Sequence, residues 1–332
     1  MRSIKKIICV LLLISICLSF ASCVKGNNGV SERAFYVMDT VFTLRIYDAD
    51  TDAEAHFAAV LALLTEIEAA LSRTLPESDV SRINALRTAG DLSPHTVAVL
   101  EVAAQAIELT DGAYLPTMGA VTALWQQAEV QNTLPDPDEM AFALQNARLG
   151  FTLADGVCAL HGDGSLLDLG GIGKGYAADC TLRYLGEQDV KGALLSFGSS
   201  VATLGEKGDD TPFRISLRHP RQANGTVGML TAPVGVLSVS GDYERYVTVG
   251  GERYHHVLDP VTGYPASAGI ASVAVLCESG ALSDALSTAF LVMGRERGEA
   301  LLSGGAISAG AVFVAADGTC HATADVPFTA EK

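Results

Sequence analysis

The spacing of hydrophobic residues predicts helices in the first half of the chain. Between Thr51 and Leu71, apolar residues recur every three or four positions, which is the period of an amphipathic helix. A second helix is expected from Pro94 to about Thr110, because Ser93-Pro94 opens it as a cap and Asp111-Gly112 ends it. A third helix is expected from Pro137 to Arg148.

The second half of the chain contains mostly short strand patterns, with helices expected at Lys174–Glu187 and Ser283–Met293. We predict strands at Ala34–Tyr47 (one long strand or a pair), Phe151–Leu153, Val157–His161, Leu166–Leu169, Ala193–Phe197, Phe213–Leu217, Val234–Ser240, Arg245–Val249, Arg253–Leu258 and Ser272–Leu276, and a closing hairpin at Ala311–Ala315 and Gly318–Ala322. Because strands and helices do not alternate regularly, the pattern indicates one α+β domain over 34–325, with mixed or antiparallel sheets and packed helices.

The N-terminus has the features of an export signal. Arg2, Lys5 and Lys6 precede an uncharged apolar run, which ends at Ala21-Ser22-Cys23. The run is shorter than the ~20 apolar residues that a membrane-spanning helix needs. We expect a lipoprotein signal peptide at 1–22, a tether at 23–33, and an exported protein anchored by lipid on Cys23 at the extracytoplasmic face. An ordinary signal peptide with an incidental cysteine is the alternative.

Charge and cysteine content narrow the classes of function. The 332 residues carry a net charge of −16, and without 1–22 the 22 basic residues fall by three to 19 against 38 acidic ones. A surface this acidic repels phosphate backbones, so we expect no nucleic-acid binding. Cys158, Cys180, Cys277 and Cys320 form no CxxC pair, which leaves a zinc site unsupported. Two disulfides are possible, but buried free thiols are favoured.

A glycine-rich segment, 167–179 (LDLGGIGKGYAAD), is the first candidate for chemistry. It matches neither GxxxxGK[ST] nor GxGxxG. It does place glycines and Lys174 where a strand would meet a helix N-terminus, an arrangement that suits a pyrophosphate or another anion. A tight turn that needs glycines for positive φ explains the segment equally well.

Two polar groups further along the chain are weaker candidates. Asp284 and Thr288 share one helix face at i,i+4 and could supply oxygen ligands to Mg²⁺. Taken alone, a helix cap at Ser283 followed by Asp284 in the first turn is the favoured interpretation of this segment. Of the pair His255-His256, which precedes a turn at Asp259-Pro260, one residue could act as a general base. A purely structural histidine pair is the more common occurrence.

Taken in order, these segments resemble the FAD:protein FMN transferase family, also called the ApbE family. Seven blocks over 38–294 carry the resemblance: Met38-Asp39-Thr40, LSRTLPESDVSRIN (71–84), DGAYLPTMGAVTALW (111–125), LDLGGIGKGYAAD (167–179), SVSGDYERY (238–246), YHHVLDPVTGYP (254–265) and SDALSTAFLVMG (283–294). One block would be weak evidence, but seven in this order are specific.

The resemblance implies an enzyme that binds FAD with Mg²⁺ and transfers FMN to a threonine hydroxyl of an acceptor flavoprotein, releasing AMP. In the family, acceptors include subunits of sodium-pumping NADH:quinone reductase and of RNF-type complexes. By resemblance, Gly171, Asp284 and Thr288 would bind the metal and His256 would be the base. The positions that match flavin contacts are Met38, Tyr114, Asp168, Lys174 and Leu258.

The chain also departs from the family pattern around the flavin. Thr74 stands where an aromatic residue is common, Leu115 where Asp usually precedes Pro-Thr, and Phe213 where Trp often opens a strand. Gly198-Ser199-Ser200 replaces a GG[DN] sequence. Two other functions stay open: a Mg²⁺-dependent FAD pyrophosphatase that yields FMN and AMP, and a non-catalytic flavin-binding lipoprotein.

Overall fold

The computed structural model describes residues 24–25, 29–208, 211–232, 235–324 and 326–331. The expected signal peptide at 1–22 and the lipid site at Cys23 lie outside the described residues. Within the described ranges, no helix combines the length and the apolar character needed to cross a membrane. The large sheet includes Val24–Lys25 and begins its next strand at Ser31, so residues at both ends of the expected 23–33 tether are part of strands.

Eight helices occur among the described residues. They are α1 (Ala53–Leu71), α2 (Asp79–Leu86), α3 (Pro94–Leu109), α4 (Gly119–Gln131), α5 (Pro137–Ala147), α6 (Gly173–Glu187), α7 (Gly280–Met293) and α8 (Arg295–Ser303). The five helices expected from periodicity are confirmed as α1, α3, α5, α6 and α7. The capping residues behave as their chemistry dictates, since Asp52, Ser93 and Asp136 accept hydrogen bonds from the first turns of α1, α3 and α5.

Short strands make up the rest of the regular structure. They are β1 (Val24–Lys25), β2 (Ser31–Val37), β3 (Thr40–Ile46), β4 (Thr88–Ala89), β5 (Phe151–Ala154), β6 (Val157–Leu160), β7 (Gly192–Phe197), β8 (Ser200–Gly205), β9 (Phe213–Arg218), β10 (Thr226–Ala232), β11 (Gly235–Gly241), β12 (Tyr246–Val249), β13 (Glu252–His255), β14 (Ser272–Cys277), β15 (Ala309–Val314), β16 (Cys320–Ala322) and β17 (Phe328–Ala330).

One large sheet organises the molecule, with nine strands in the order β1-β2-β3-β7-β8-β11-β14-β15-β16. Each of its neighbouring pairs is antiparallel. Three small sheets accompany it: β17-β10-β9, the hairpin β12-β13, and β4-β6-β5. This arrangement confirms the expected α+β class, and the expected region 34–47 is a strand pair rather than one strand.

Two hydrophobic cores cover the two faces of the large sheet. On one face, α1, α6 and α7 pack against side chains such as Phe42, Leu195 and Val273, and α3 packs behind them against α1 and α7. On the other face, the β17-β10-β9 sheet packs against Leu237, Ala274 and Val314 of the large sheet. The alternating side chains of β11, β14 and β15 therefore serve both cores, as the period of a strand requires.

A third apolar cluster forms a separate lip beside the large sheet. Helices α4 and α5 pack there through Val121, Trp125 and Leu144, with the β12-β13 hairpin against them. The indole Nε1 of Trp125 donates a 2.7 Å hydrogen bond to the carbonyl of Gly263. This contact ties α4 to the loop that follows β13.

Two expectations from the sequence are wrong. Leu166–Leu169 is not a strand, because only Leu166 pairs, in a single parallel bridge with Met118. Ser283 is not a helix cap, because Ser279 caps α7 and the Ser283 hydroxyl donates to the carbonyl of Val275 within the core. Asp284 therefore lies inside α7 and not in a solvated first turn.

Several elements were not predicted from the sequence: α2, α4, α8, and the strands β1, β4, β8, β10 and β17. Helix α4 begins without a side-chain cap, and α8 is a mostly polar segment, so neither has a strong local signal. The four described cysteines are free, three of them buried, and burial raises the pKa of Cys158 to about 11.

Candidate active site

A cleft of about 560 Å³ opens between the large sheet with its helices and the lip formed by α4 and the β12-β13 hairpin. Its size is within the range of small-molecule and cofactor sites. All nine residues singled out from the sequence line it: Met38, Tyr114, Asp168, Gly171, Lys174, His256, Leu258, Asp284 and Thr288. Residues separated by up to 250 positions in the chain are thus brought to one place.

The glycine-rich segment contributes a close contact between two helices. A Cβ atom on Gly175 would lie 2.0 Å from the carbonyl oxygen of Gly280, and one on Gly280 would lie 2.5 Å from the carbonyl oxygen of Gly175. No side chain fits at either position. The glycines therefore let the first turns of α6 and α7 touch through their backbones.

This contact places Asp284 against the N-terminus of α6. The Asp284 side chain is 6% exposed, and its Oδ2 accepts a 3.2 Å hydrogen bond from the Gly175 amide. Lys174 Nζ lies 3.9 Å from the same oxygen and donates a 2.8 Å hydrogen bond to the Gly170 carbonyl. A carboxylate, an ammonium group and a helix N-terminus thus share one end of the cleft.

Asp179 holds the start of α7 in position. Its two carboxylate oxygens accept hydrogen bonds of 2.6 Å from the Gly280 amide and 3.0 Å from the Ala281 amide. Burial raises the pKa of Asp179, and these two amide donors oppose the rise. Asp179 belongs to the glycine-rich block, but its role was missed because its partners lie about a hundred residues further along the chain.

Hydroxyl and carbonyl oxygens surround Asp284. The Thr288 hydroxyl is one turn further along α7 and lies 3.4 Å from the Asp284 carbonyl and 3.5 Å from Ser240 Oγ. A Cβ on Gly171 would be 3.6 Å from Thr288 Oγ1, so the backbone of Gly171 runs beside this face. The Asp284–Thr288 pair does share one helix face, as its spacing predicts.

The buried hydroxyl of Tyr114 has no hydrogen-bond partner among the described residues. The side chain is 4% exposed and lines the cleft. Burial raises the pKa of Tyr114 well above its usual value, and the nearby carboxylates of Asp284 and Asp168 raise it further. A phenol that stays protonated and lacks a partner can donate a hydrogen bond to an anion in the cleft.

The opposite wall of the cleft begins at a strained hairpin turn. Met38 and Asp39, between β2 and β3, have φ values of 53° and 55°, which suit the twist of a two-residue hairpin but disfavour side chains other than Asn, Asp and Gly. Glu68 of α1 accepts a 2.8 Å hydrogen bond from the Met38 amide. The turn places the Met38 side chain beside Gly173, which has room for it.

Asp168 is held at the cleft edge by its neighbours. Its Oδ1 accepts a 2.9 Å hydrogen bond from the Gly170 amide, and its amide donates to the Pro116 carbonyl. Arg73 Nε lies 3.4 Å from Asp168 Oδ2. Sequence reasoning did not single out Arg73, although it belongs to the matched block 71–84.

His256 follows β13 and faces the cleft. Its Nδ1 lies 3.1 Å from the Arg245 carbonyl, and its amide donates to the same oxygen. A carbonyl only accepts, so Nδ1 carries the proton and Nε2 is left as the basic atom. The ring is accessible to solvent within the cleft, but protein atoms surround it closely enough to displace most of its hydration shell. Desolvation by burial lowers the pKa of His256 to about 4, and the Arg245 hydrogen bond opposes this shift.

His255 differs from its neighbour in its contacts. Its Nε2 lies 3.0 Å from the carbonyl of Ala266, and its buried Nδ1 has no partner among the described residues. Although His255 also lines the cleft, its bond ties β13 to the following loop. The expectation that only one histidine of the pair serves the site stays a prediction.

The oxygen atoms at the α6–α7 end fit a hard cation better than a soft one. In the described part of the chain, no three His, Cys, Asp or Glu side chains are placed to share one metal ion. The expected ligands Gly171, Asp284 and Thr288 offer one carboxylate, one carbonyl and one hydroxyl. Such a sparse, all-oxygen set fits Mg²⁺, which keeps water and substrate phosphate in its coordination shell.

The family model described as the ApbE family matches residues 38–311. The chain belongs to this family. A FAD:protein FMN transferase of Treponema pallidum is 33% identical over 301 residues, which cover 83% of this chain and 83% of that protein. One from Klebsiella pneumoniae is 32% identical over 288 residues, covering 83% of this chain and 87% of the relative.

Solved ApbE structures share the fold. The crystal structure of the ApbE protein from Thermotoga maritima has a TM-score of 0.79 and 29% identity, covering 89% of this chain and 97% of that one. The flavin transferase ApbE from Vibrio cholerae has a TM-score of 0.77 and 25% identity over the same shares. The resemblance expected from the seven blocks is confirmed.

The departures of this ApbE-family chain from the family pattern divide into two groups. Thr74, Leu115 and Ser199 line the cleft, so they alter the surface that a ligand meets. Phe213 is buried, with its ring centroid 5.3 Å from that of Tyr47, so it affects packing instead.

Proposed function

We propose that this chain is a Mg²⁺-dependent FAD:protein FMN transferase, which moves FMN from FAD to a threonine hydroxyl of an acceptor protein and releases AMP. The observation that carries the proposal is the meeting of Asp284 and Thr288 with Lys174 and the α6 N-terminus, with His256 facing the same cleft. Family membership and the names of the relatives support the flavin transfer itself.

The α6–α7 end of the cleft is suited to the pyrophosphate of FAD. The helix N-terminus, Lys174 Nζ and the Tyr114 hydroxyl, which has no partner among the described residues, all offer positive charge or hydrogen-bond donors to an anion. Asp284, Thr288 and the Gly171 carbonyl would hold Mg²⁺, which supplies charge neutralisation as the AMP phosphate leaves. The isoalloxazine would lie towards Met38 and Leu258.

His256 would accept the threonine proton. Its neutral ring presents the lone pair of Nε2, because Nδ1 donates to the Arg245 carbonyl. The threonine oxygen then forms a bond to the FMN phosphorus, and the bond from that phosphorus to the AMP phosphate oxygen breaks. A pKa near 4 keeps the ring unprotonated at neutral pH.

An assay with purified protein, FAD, Mg²⁺ and the soluble acceptor domain of an RNF-type subunit separates the three candidate functions. Flavin fluorescence that stays with the acceptor in a denaturing gel, together with AMP, supports transfer. Free FMN and AMP without labelled acceptor would show a pyrophosphatase instead. Binding of FAD without any AMP would leave a non-catalytic flavin-binding protein.

We also propose export and lipid anchoring through Cys23, on the strength of the N-terminal sequence alone. Cells that express the full chain and are fed an alkyne-tagged fatty acid should label it. A Cys23→Ser variant should lose the label, whereas a Cys158→Ser variant should keep it. Equal labelling of the wild type and Cys23→Ser would contradict the anchor.

A further inference from the structure

A second groove, of about 460 Å³, continues from the active-site cleft along the outer face of the large sheet. Its floor is formed by side chains of β8, β11, β14 and β15, and one wall is β9. The proposed reaction assigns no role to this groove. Its floor includes the apolar side chains Val201, Leu237, Val239, Ala274 and Val314. Leu237, Ala274 and Val314 are nearly buried there, and polar groups make up at least half of the accessible lining.

The β9 wall has a free backbone edge. Among the described strands, β9 pairs only with β10 and so lies at the edge of its sheet. Four consecutive residues, Ile215–Arg218, line the groove. Because successive side chains of a strand point to opposite faces, a run of four lining residues means that the backbone edge itself borders the groove.

Hydrogen bonds of β10 show which of its backbone groups face β17. The Thr231 amide donates to the Pro327 carbonyl, and the Val227 carbonyl accepts from the Glu331 amide. In an antiparallel sheet, the N–H and C=O of one residue point to the same side, and this side alternates along the strand. The odd-numbered residues of β10 therefore bond towards β17 and the even-numbered ones towards β9.

The same alternation identifies the free groups of β9. Leu217 and Ile215 pair with Gly228 and Leu230, which bond towards β9. Ser216, between them, consequently directs its N–H and C=O away from β10 and towards the free edge. These groups are available to another extended chain.

The groove leads to the proposed base. Thr40, Gly198, Ser199, Val239, Glu244 and Arg245 line both the groove and the active-site cleft. The Arg245 carbonyl is the group that holds the ring and the amide of His256. A chain that runs along β9 towards this junction therefore arrives beside the atom that would take its proton.

Charge at the junction favours a particular occupant. Two basic residues, Arg218 and Arg245, line the groove beside Glu244, so the groove carries more positive than negative charge in a chain whose net charge is −16. A local surplus of positive charge attracts acidic segments, whereas the like net charges of two copies of this chain disfavour their association.

We propose that this groove is the docking site for the acceptor protein, whose threonine-bearing segment adds to the free edge of β9 as an extended strand with acidic side chains near Arg218. Backbone hydrogen bonds to a strand edge are an established way to hold a peptide without demanding one sequence. The inference rests on the proposed transferase function and assigns its second substrate to a groove that adjoins the FAD site.

The test uses proline on the β9 edge of the full chain, with the RNF-type acceptor domain as the probe. Ser216→Pro removes an outward N–H, whereas Ser216→Ala keeps it. Proline is tolerated at edge positions whose N–H is unpaired. Arg214→Pro is the matched control, since Arg214 also points outward on β9 but does not line the groove.

We expect Ser216→Pro to raise the KM for the acceptor at least about fivefold, the value of one lost hydrogen bond plus a poorer fit. Ser216→Ala and Arg214→Pro should change it less than twofold. The affinity for FAD with Mg²⁺, measured by flavin fluorescence, should be the same in all four proteins. Equal acceptor KM values in Ser216→Pro and Arg214→Pro would overturn the docking site while leaving the transferase proposal intact.

Hydrogen exchange on the wild-type protein gives a second readout that requires no variant. Acceptor binding should slow exchange at the Ser216 and Arg218 amides, and leave those of Ile215 and Leu217, already bonded to β10, nearly unchanged. No added protection at Ser216 with saturating acceptor would refute strand addition. If FAD alone slowed exchange at Ser216, the groove would bind the nucleotide and not the acceptor. Absence of any flavin-labelled acceptor with the wild-type protein would refute the transferase function itself.

Discussion

Replacing Gly175 with alanine tests whether the contact between α6 and α7 builds the metal-binding end of the cleft. The added Cβ would lie 2.0 Å from the Gly280 carbonyl oxygen and 2.9 Å from Asp284 Cβ. The first of these is a backbone atom of a buried helix, so no side-chain rotation can relieve the overlap. The two helices must separate, and the hydrogen bond from the Gly175 amide to Asp284 must lengthen from 3.2 Å.

The magnitude follows from two opposing effects. Overpacking a tight contact costs typically about 1–3 kcal/mol, and a backbone contact belongs at the upper end of that range. In the opposite direction, the higher helix propensity of alanine stabilises the fold by up to about 1 kcal/mol relative to glycine. We therefore expect a net loss of roughly 2 kcal/mol, which lowers Tm by roughly 4–8 °C at roughly 2–4 °C per kcal/mol.

Gly186→Ala is the matched control, because it makes the same chemical change in the same helix. Its Cβ would meet only Leu204 Cδ1, at 4.0 Å, so no steric overlap opposes the stabilisation that comes from the higher helix propensity of alanine. It should leave stability unchanged or raise it by up to about 1 kcal/mol.

Urea unfolding and FAD titration with Mg²⁺ check the prediction. Gly175→Ala should lower the free energy of unfolding and weaken FAD binding at least about tenfold, because Asp284 moves relative to Lys174 and the α6 N-terminus. Gly186→Ala should bind FAD as the wild type does. If Gly175→Ala matched Gly186→Ala in both measurements, the helix contact would not organise the site.

Three further predictions concern single carboxylates and the base. Asp284→Ala should abolish AMP formation at ordinary Mg²⁺, because it removes the only charged ligand assigned to the metal; full activity would refute that assignment. Asp179→Asn should cost about 1–2 kcal/mol of stability in urea and slow transfer, because the neutral amide caps α7 less well; a variant with wild-type unfolding would show the cap to be dispensable. His256→Gln should slow transfer while FAD still binds. In the wild type, kcat/KM should fall on the acid side with a midpoint near pH 4 and not near pH 6.5, because the His256 ring of the free enzyme loses its proton at the lower pH. A midpoint near pH 6.5 that His256→Gln leaves unchanged would exclude His256 as the base.

Long periodic helices could be predicted from the sequence because their signals are local. The apolar spacing of α1 and the caps Ser93 and Asp136 act within a few residues, so the bounds of α1, α3 and α5 were predicted to within two residues. Helix α4 has no such cap and is held by contacts between Trp125 and the loop after β13, which no local pattern reveals. The same holds for Leu166, whose one pairing partner is Met118.

The active-site cleft shows the same division between features with local signals and features that depend on distant contacts. That Asp284 and Thr288 share a helix face, and that glycines precede a lysine-bearing helix, could be predicted from the residues alone. These relations depend only on 3.6 residues per turn and on backbone freedom. Tertiary packing brings the two helices together at Gly175 and Gly280 and places Asp179 at the start of α7. It also leaves the Tyr114 hydroxyl without a partner among the described residues and leads the groove beside β9 to the cleft that His256 lines. Each of these depends on groups far apart in the chain, whose meeting is set by the packing of the whole sheet.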